Sequence, residues 1–211
     1  YNAIYPLPVG ERRKELIICL RQGETTCRPR SGGVDRRGLI PKIVSIHVRP
    51  TEIKDRLMPG HREGDLIKGK ANVSVVSALV ERTSGYLMLN KMNDATATSA
   101  LEGFSPALNR MPLAMHRSMT YGQGREMVRH VDITQKTGVA IYFFDPHSPW
   151  QRGSNENING LKRQCLPRGM DLSVYSKEQL DAIALQLNMR PRNRFDFKCP
   201  IEVMGEVMHA A

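Results

Sequence analysis

Three strand-like runs with no helix between them, then helices and strands in alternation, restrict this chain to few architectures. REGDLIKG (62–69), VSVVSALVER (73–82) and YLMLNKM (86–92) carry the β-branched and apolar residues of strands, with a turn at Thr83-Ser84-Gly85. ATATSALEGFSPALNRM (95–111) has helical spacing, with its continuity left open by Pro106. SMTY (118–121) and VAIYFF (139–144) are expected strands, and GREMVRHVDITQKTG (124–138) between them a helix stopped at Gly138. Pro146 and Pro149 bar regular structure before a helix expected to start at Ser154. Another is expected over 176–188, opened by a serine cap, and a last one after Pro200. The order β-β-β-α-β-α-β-α-α predicts an α/β fold, a mixed sheet with helices on its faces.

Ahead of this core, expected to begin at Arg62, the chain is basic. Residues 11–22 have Leu16, Ile17 and Leu20 at helical spacing beside cations. Residues 23–41 are rich in Gly, Arg and Pro and suit a flexible basic linker, and 44–61 an irregular lead-in. Up to residue 62 there are 13 Lys/Arg against 6 Asp/Glu, which is most of the net +10 carried by the 211 residues. A polyanionic partner fits that excess, because each phosphate neutralised releases counterions; a basic but unoccupied surface is the alternative. No apolar run reaches the roughly 18–20 residues of a membrane span, and no signal peptide is recognisable. The four cysteines, at 19, 27, 165 and 199, form no CxxC pair, so reduced thiols in a cytoplasmic protein are expected. A chain starting at Tyr1 rather than Met is expected to be a fragment.

Two carboxylates stand in unusual places. Asp65 sits within a strand-like run, where an acid is costly unless it is paired or binds a metal; a strand starting later would leave it in a solvated turn. Glu156 falls in the first turn of a helix, where the dipole alone favours it. It also shares a stripe with Asn159, Gly160 and Arg163, while Ile158, Leu161 and Cys165 lie on another stripe suited to packing on a sheet. An acid, an amide, a glycine and a cation in one stripe suit a phosphate-bearing ligand, or simply water.

The run DPHSPWQRGSNENINGLKRQCLPRG (145–169), with REGDLIKG (62–69), LVERTSGY (79–86) and TYGQGREM (120–127), resembles the insertion-sequence-thirty family of transposases. These belong to the DDE superfamily, alongside retroviral integrases. The likeness covers nearly the whole chain. It implies an RNase H-like catalytic core, with one Asp on the first strand, a second after the fourth and a Glu on a following helix; Asp65 and Glu156 fall on the first and third positions. It further implies metal-assisted cleavage and strand transfer of DNA, with two Mg²⁺ (or Mn²⁺) ions about 4 Å apart held by carboxylates. The partners it implies are double-stranded DNA, at transposon terminal repeats and target, and further copies of the chain on that DNA, in a cytoplasmic, nucleoid-associated setting. Residues 1–22 would then be a remnant of an upstream DNA-binding region, 23–61 a linker and 62–211 the catalytic core. Arg152, Lys162, Arg163 and Arg168 surround Glu156 and would meet phosphates, with Asn159 on the same helix; a solvated surface is the alternative. Trp150 would stack on a splayed base or pack its loop onto the domain. His147 would orient a phosphate or hold the loop, and RPRNRF (190–195) clamp a DNA backbone or form an exposed turn.

The second acid is missing. Where the family has Asp before Gln-Gly, this chain has Gly122, and the 33 residues between 122 and 156 match the family spacing. Arg62 stands where Trp is usual, a cation expected beside the first acid. Glu126 and Asp145 are the nearest candidates for replacing the lost carboxylate and are not expected to do so. Cleavage and strand transfer are therefore expected to be lost or strongly impaired in this copy, with a non-catalytic DNA-binding remnant, acting or interfering at transposon ends, as the second reading.

Overall fold

The computed structural model describes residues 4, 7, 8, 10–19, 40–53, 55–146 and 148–210. The expected linker from 23 to 39, and His147, lie outside the described residues. The chain divides into two units, 1–36 and 37–211. In the first, the described helix is α1 (Glu11–Ile18), with Ile17 buried and Ile18 exposed.

The second unit is built on a five-stranded sheet in the order β3-β2-β1-β4-β5. β1 (His61–Lys68), β2 (Val75–Glu81) and β3 (Leu87–Met92) pair antiparallel as a meander. β4 (Ser118–Tyr121) and β5 (Ala140–Phe143) continue the sheet in parallel on the other side of β1. The strand centred on Asp65 starts early, and Asp65 pairs with Ala78 inside it rather than lying in a turn.

Alternation along the strands sends side chains to two apolar layers. One gathers Val75, Leu79, Phe104, Leu108, Met119, Tyr121 and Ile133, beneath α2 (Ala97–Asn109) and α3 (His130–Thr137). The other gathers Ile67, Val76, Ala78, Val80, Ile158, Leu166, Leu180 and Leu187, beneath α4 (Gly153–Cys165) and α5 (Lys177–Asn188). A last helix, α6 (Pro200–Ala210), follows.

α2 runs unbroken through Pro106. Its buried face, including Phe104 set edge-on to Tyr121 at 5.6 Å, outweighs the one backbone hydrogen bond that proline removes. Before α3 the chain makes a separate 3-10 turn, Arg125–Met127, so the expected helix is shorter; Gly138 ends it in the left-handed conformation (φ +72°). α5 carries a full capping box, Ser176 with Gln179, and its Asn188 amide exchanges two 2.8 Å hydrogen bonds with the Leu87 backbone at the edge strand β3. α4 opens at Gly153, directly after a 3-10 turn over Pro149–Arg152, so Ser154 lies inside the helix instead of capping it.

The largest departure concerns residues 40–61, expected to be linker and irregular lead-in. They belong to the second unit. Ile40 and Ile53 are buried, Ser45 bridges to Phe143 beside β5, and Arg82 donates to the Ile53 carbonyl at 2.6 Å.

Gly64, on β1, is held close to β4: a Cβ there would lie 2.8 Å from the Tyr121 ring. Gly64→Ala is expected to destabilise the chain by about 1–3 kcal/mol through that overlap. Urea unfolding measures it, and an unchanged midpoint would mean the two strands are not packed this tightly.

Candidate functional site

Period-2 alternation places His61, Glu63 and Asp65 on the α4 side of β1. The half-buried Asp65 carboxylate accepts a hydrogen bond from the Asn159 side-chain amide of α4 at 2.9 Å. Ile158, Leu161 and Cys165 pack α4 on the sheet, as their stripe predicted, and this turns Asn159 toward β1. Glu156 lies on α4 one turn before Asn159, on the same side of the helix. Its side chain, like that of Arg152, lies outside the described ones. Arg163, one turn after Asn159, is close enough to Asp65 for the carboxylate to oppose the lowering of its pKa by burial and by Arg168.

The position of residue 122 follows from the parallel ladder. His61 pairs with Ser118, Arg62 with Met119 and Glu63 with Thr120. Continued two steps past its last pair, beyond the end of β4 at Tyr121, this register would bring Gly122 abreast of Asp65. At the step between, a Cβ on Gly64 would lie 2.8 Å from the Tyr121 ring. Neither nearby acid fills the slot. Glu126 accepts from the Tyr121 hydroxyl at 3.2 Å, and Tyr121 belongs to the α2–α3 layer, on the far side of the sheet. Asp145 is held by Gln151 at 2.7 Å and His47 at 2.5 Å, which keep its pKa below the usual carboxylate range. Among the described residues no three His, Cys, Asp or Glu side chains gather to hold a metal. At the position of the second acid, Gly122 offers no ligand atom to a two-ion site.

Three expectations are corrected here. Arg62 lies on the opposite face of β1 from Asp65; it is fully buried, donates to the Met115 carbonyl at 2.6 Å, and faces Glu81. It is no competitor for charge at Asp65. Lys162 is only 1% exposed, so its ammonium is not presented to a phosphate. Trp150 is 73% exposed and does not pack its loop onto the domain, which leaves its ring available for stacking. Arg168 is exposed, and Arg194 of the RPRNRF run is tied to the Arg82 and Thr83 carbonyls at 2.9 and 2.8 Å.

Sequence reasoning missed a buried polar group beside Asp65. Arg82 donates to Glu63 at 3.1 Å with both side chains almost fully buried, and Arg49 donates to Thr120 at 3.2 Å. The His61 imidazole sits 2.7 Å from the Ser118 hydroxyl. The signal was present in HREGD, three charged residues and a histidine in five positions of a core strand.

A mixed sheet of this order, an acid on its central strand and a polar helix face turned toward that acid define a retroviral-integrase-like, RNase H-type core. The catalytic core domain of BIV integrase superposes with a TM-score of 0.54 over 72% of this chain and 97% of that one, at 16% identity. The transposase for insertion sequence element IS1086 of Cupriavidus metallidurans is 59% identical over 208 residues, 99% of this chain. Transposase InsI for insertion sequence element IS30A of Escherichia coli K12 is 41% identical over 159 residues, 75% of this chain. The chain belongs to the IS30 family of insertion-sequence transposases. It spans 61% and 41% of the length of those two relatives. No family model matches it.

Burial, reinforced by Arg117, Arg82, Arg49 and Arg62, drives the His61 pKa from 6.5 down to about 4. A base whose pKa falls on folding is bound neutral, so its stabilisation is complete above pH 6.5 and drains away as the pH drops toward 4. Urea unfolding at pH 7 and pH 5 should show a larger loss for the wild type than for His61→Gln. Equal losses would contradict the burial of a neutral imidazole.

Proposed function

We propose that this chain is the DNA-acting core of an insertion-sequence transposase, in a copy whose cleavage and strand-transfer chemistry is lost or strongly impaired at Gly122. The observation that carries the reading is the 2.9 Å contact from Asn159 to Asp65. It brings the helix bearing Glu156 to the strand bearing the first acid, beside a residue that supplies no ligand. Asp65 and Glu156 are the remaining catalytic and metal-binding positions in this proposal, with Mg²⁺ or Mn²⁺ as the ion an intact site would take. Double-stranded DNA is the proposed partner, at terminal repeats and target, with further copies of the chain assembling on it. Arg152, Arg163, Arg168, Asn159 and the exposed Trp150 are the proposed contacts. Residues 1–22 are proposed as the remnant of an upstream DNA-binding region, and the cytoplasm with its nucleoid as the location. Among the described residues no helix is long and apolar enough to cross a membrane.

Gly122 together with the net +10 charge favours a second reading, a DNA-binding remnant that occupies transposon ends without cutting them. Removing one positioned electrostatic group costs on the order of 10²–10³ in rate. Nicking of a supercoiled plasmid carrying terminal repeats, in Mg²⁺ buffer, should therefore be at least about 10²-fold faster for Gly122→Asp than for the wild type. Wild-type nicking as fast as the variant's would overturn the loss of activity. Duplex binding without nicking by both proteins would favour the remnant.

A further inference from the structure

Four arginines crowd together beside the acid-bearing face. Arg49 reaches Thr120 on β4, two residues before Gly122. Arg82 is bound to Glu63 and the Ile53 carbonyl. Arg194 lies against the Arg82 and Thr83 carbonyls. Arg56 completes the group: its charge acts on both Arg82 and Arg194, and its guanidinium lies 3.5 Å from where a Cβ on Gly153, the first residue of α4, would stand. Among the described side chains, two carboxylates stand with them, and both are engaged. Glu63 is taken by Arg82, and Glu81 by the Gly60 and Ser84 backbone amides and the Ser84 hydroxyl.

So much like charge is costly without an anion. Burial, then Arg82, pull the Arg49 pKa down to about 10, against the pull of Glu63. Arg56 is held with φ +58°, a left-handed backbone rare outside glycine, asparagine and aspartate. Strain of this kind persists only where the surroundings impose it. Arginine forks match phosphate oxygens in pairs, and the amino end of α4 adds its own positive dipole.

We propose that Arg49 and Arg56 form a phosphate subsite that grips the backbone of duplex DNA alongside Asp65. The subsite deepens the proposed function and rests on it. It makes the lead-in segment part of the DNA-contacting surface, and it supplies binding that does not depend on residue 122.

Fluorescence anisotropy of a labelled 20-base-pair duplex with the full chain, from 50 to 300 mM salt, tests it. Arg49→Gln with Arg56→Gln should weaken binding about tenfold at 100 mM salt and flatten the slope of log K against log salt by about 1–2, one unit for each phosphate no longer gripped. Arg49→Lys with Arg56→Lys should restore the slope. Arg110→Gln with Lys136→Gln, exposed just after α2 and on α3, should change neither quantity. If the double glutamine variant does not fold, Arg56→Gln alone carries the test, with a slope change of about 1. An unchanged slope and affinity in the glutamine variants, or an equal loss in the Arg110 and Lys136 variant, overturns the subsite while leaving DNA binding intact. A wild type that binds no duplex at any salt overturns the subsite and the proposed function together.

Discussion

β1 and β4 run side by side in the same direction, and that ladder governs the rest of the site. It rests on backbone hydrogen bonds, which do not depend on the side chain that follows β4. The sheet can therefore persist with glycine at 122, because scaffold and chemistry reside in different atoms. The Asn159 amide on Asp65 then ties α4 to the same strand.

Beneath that surface lies a charged interior. The Glu63–Arg82 pair is nearly dry, and removing one partner of such a pair typically costs about 3–5 kcal/mol, because the other is left as an uncompensated buried charge. Arg82 also fastens the Ile53 carbonyl, so the pair holds residues 40–53 against the sheet. A segment with no periodicity of its own thereby acquires a fixed place, which is how Arg49 comes to reach Thr120.

Much of the fold was legible because its signals are local. The β-branched runs gave β1 to β3, Gly138 stopped α3 and Ser176 opened α5. The failures share one cause, structure decided by contacts remote in the chain. Nothing in residues 44–61 announces a bridge from Ser45 to Phe143 or a bond to Arg82. Arg62 was placed beside Asp65 by its nearness in sequence, whereas three residues along a strand put it on the other face. Lys162 was legible and misread: Ile158, Lys162 and Leu166 recur at helical spacing, and that row too is turned inward. The site itself was read chiefly from the resemblance. Composition and periodicity alone left Asp65 open between turn and strand, and Glu156 open between dipole and ligand.

Calorimetric titration with Mn²⁺ in the absence of DNA tests the central claim, a carboxylate frame with its middle position vacant, most directly. Negligible binding heat is expected for the wild type, clear binding for Gly122→Asp, and loss of that binding when Asp65→Asn is added. Equally tight Mn²⁺ binding by the wild type and Gly122→Asp, or none gained by the variant, would contradict it.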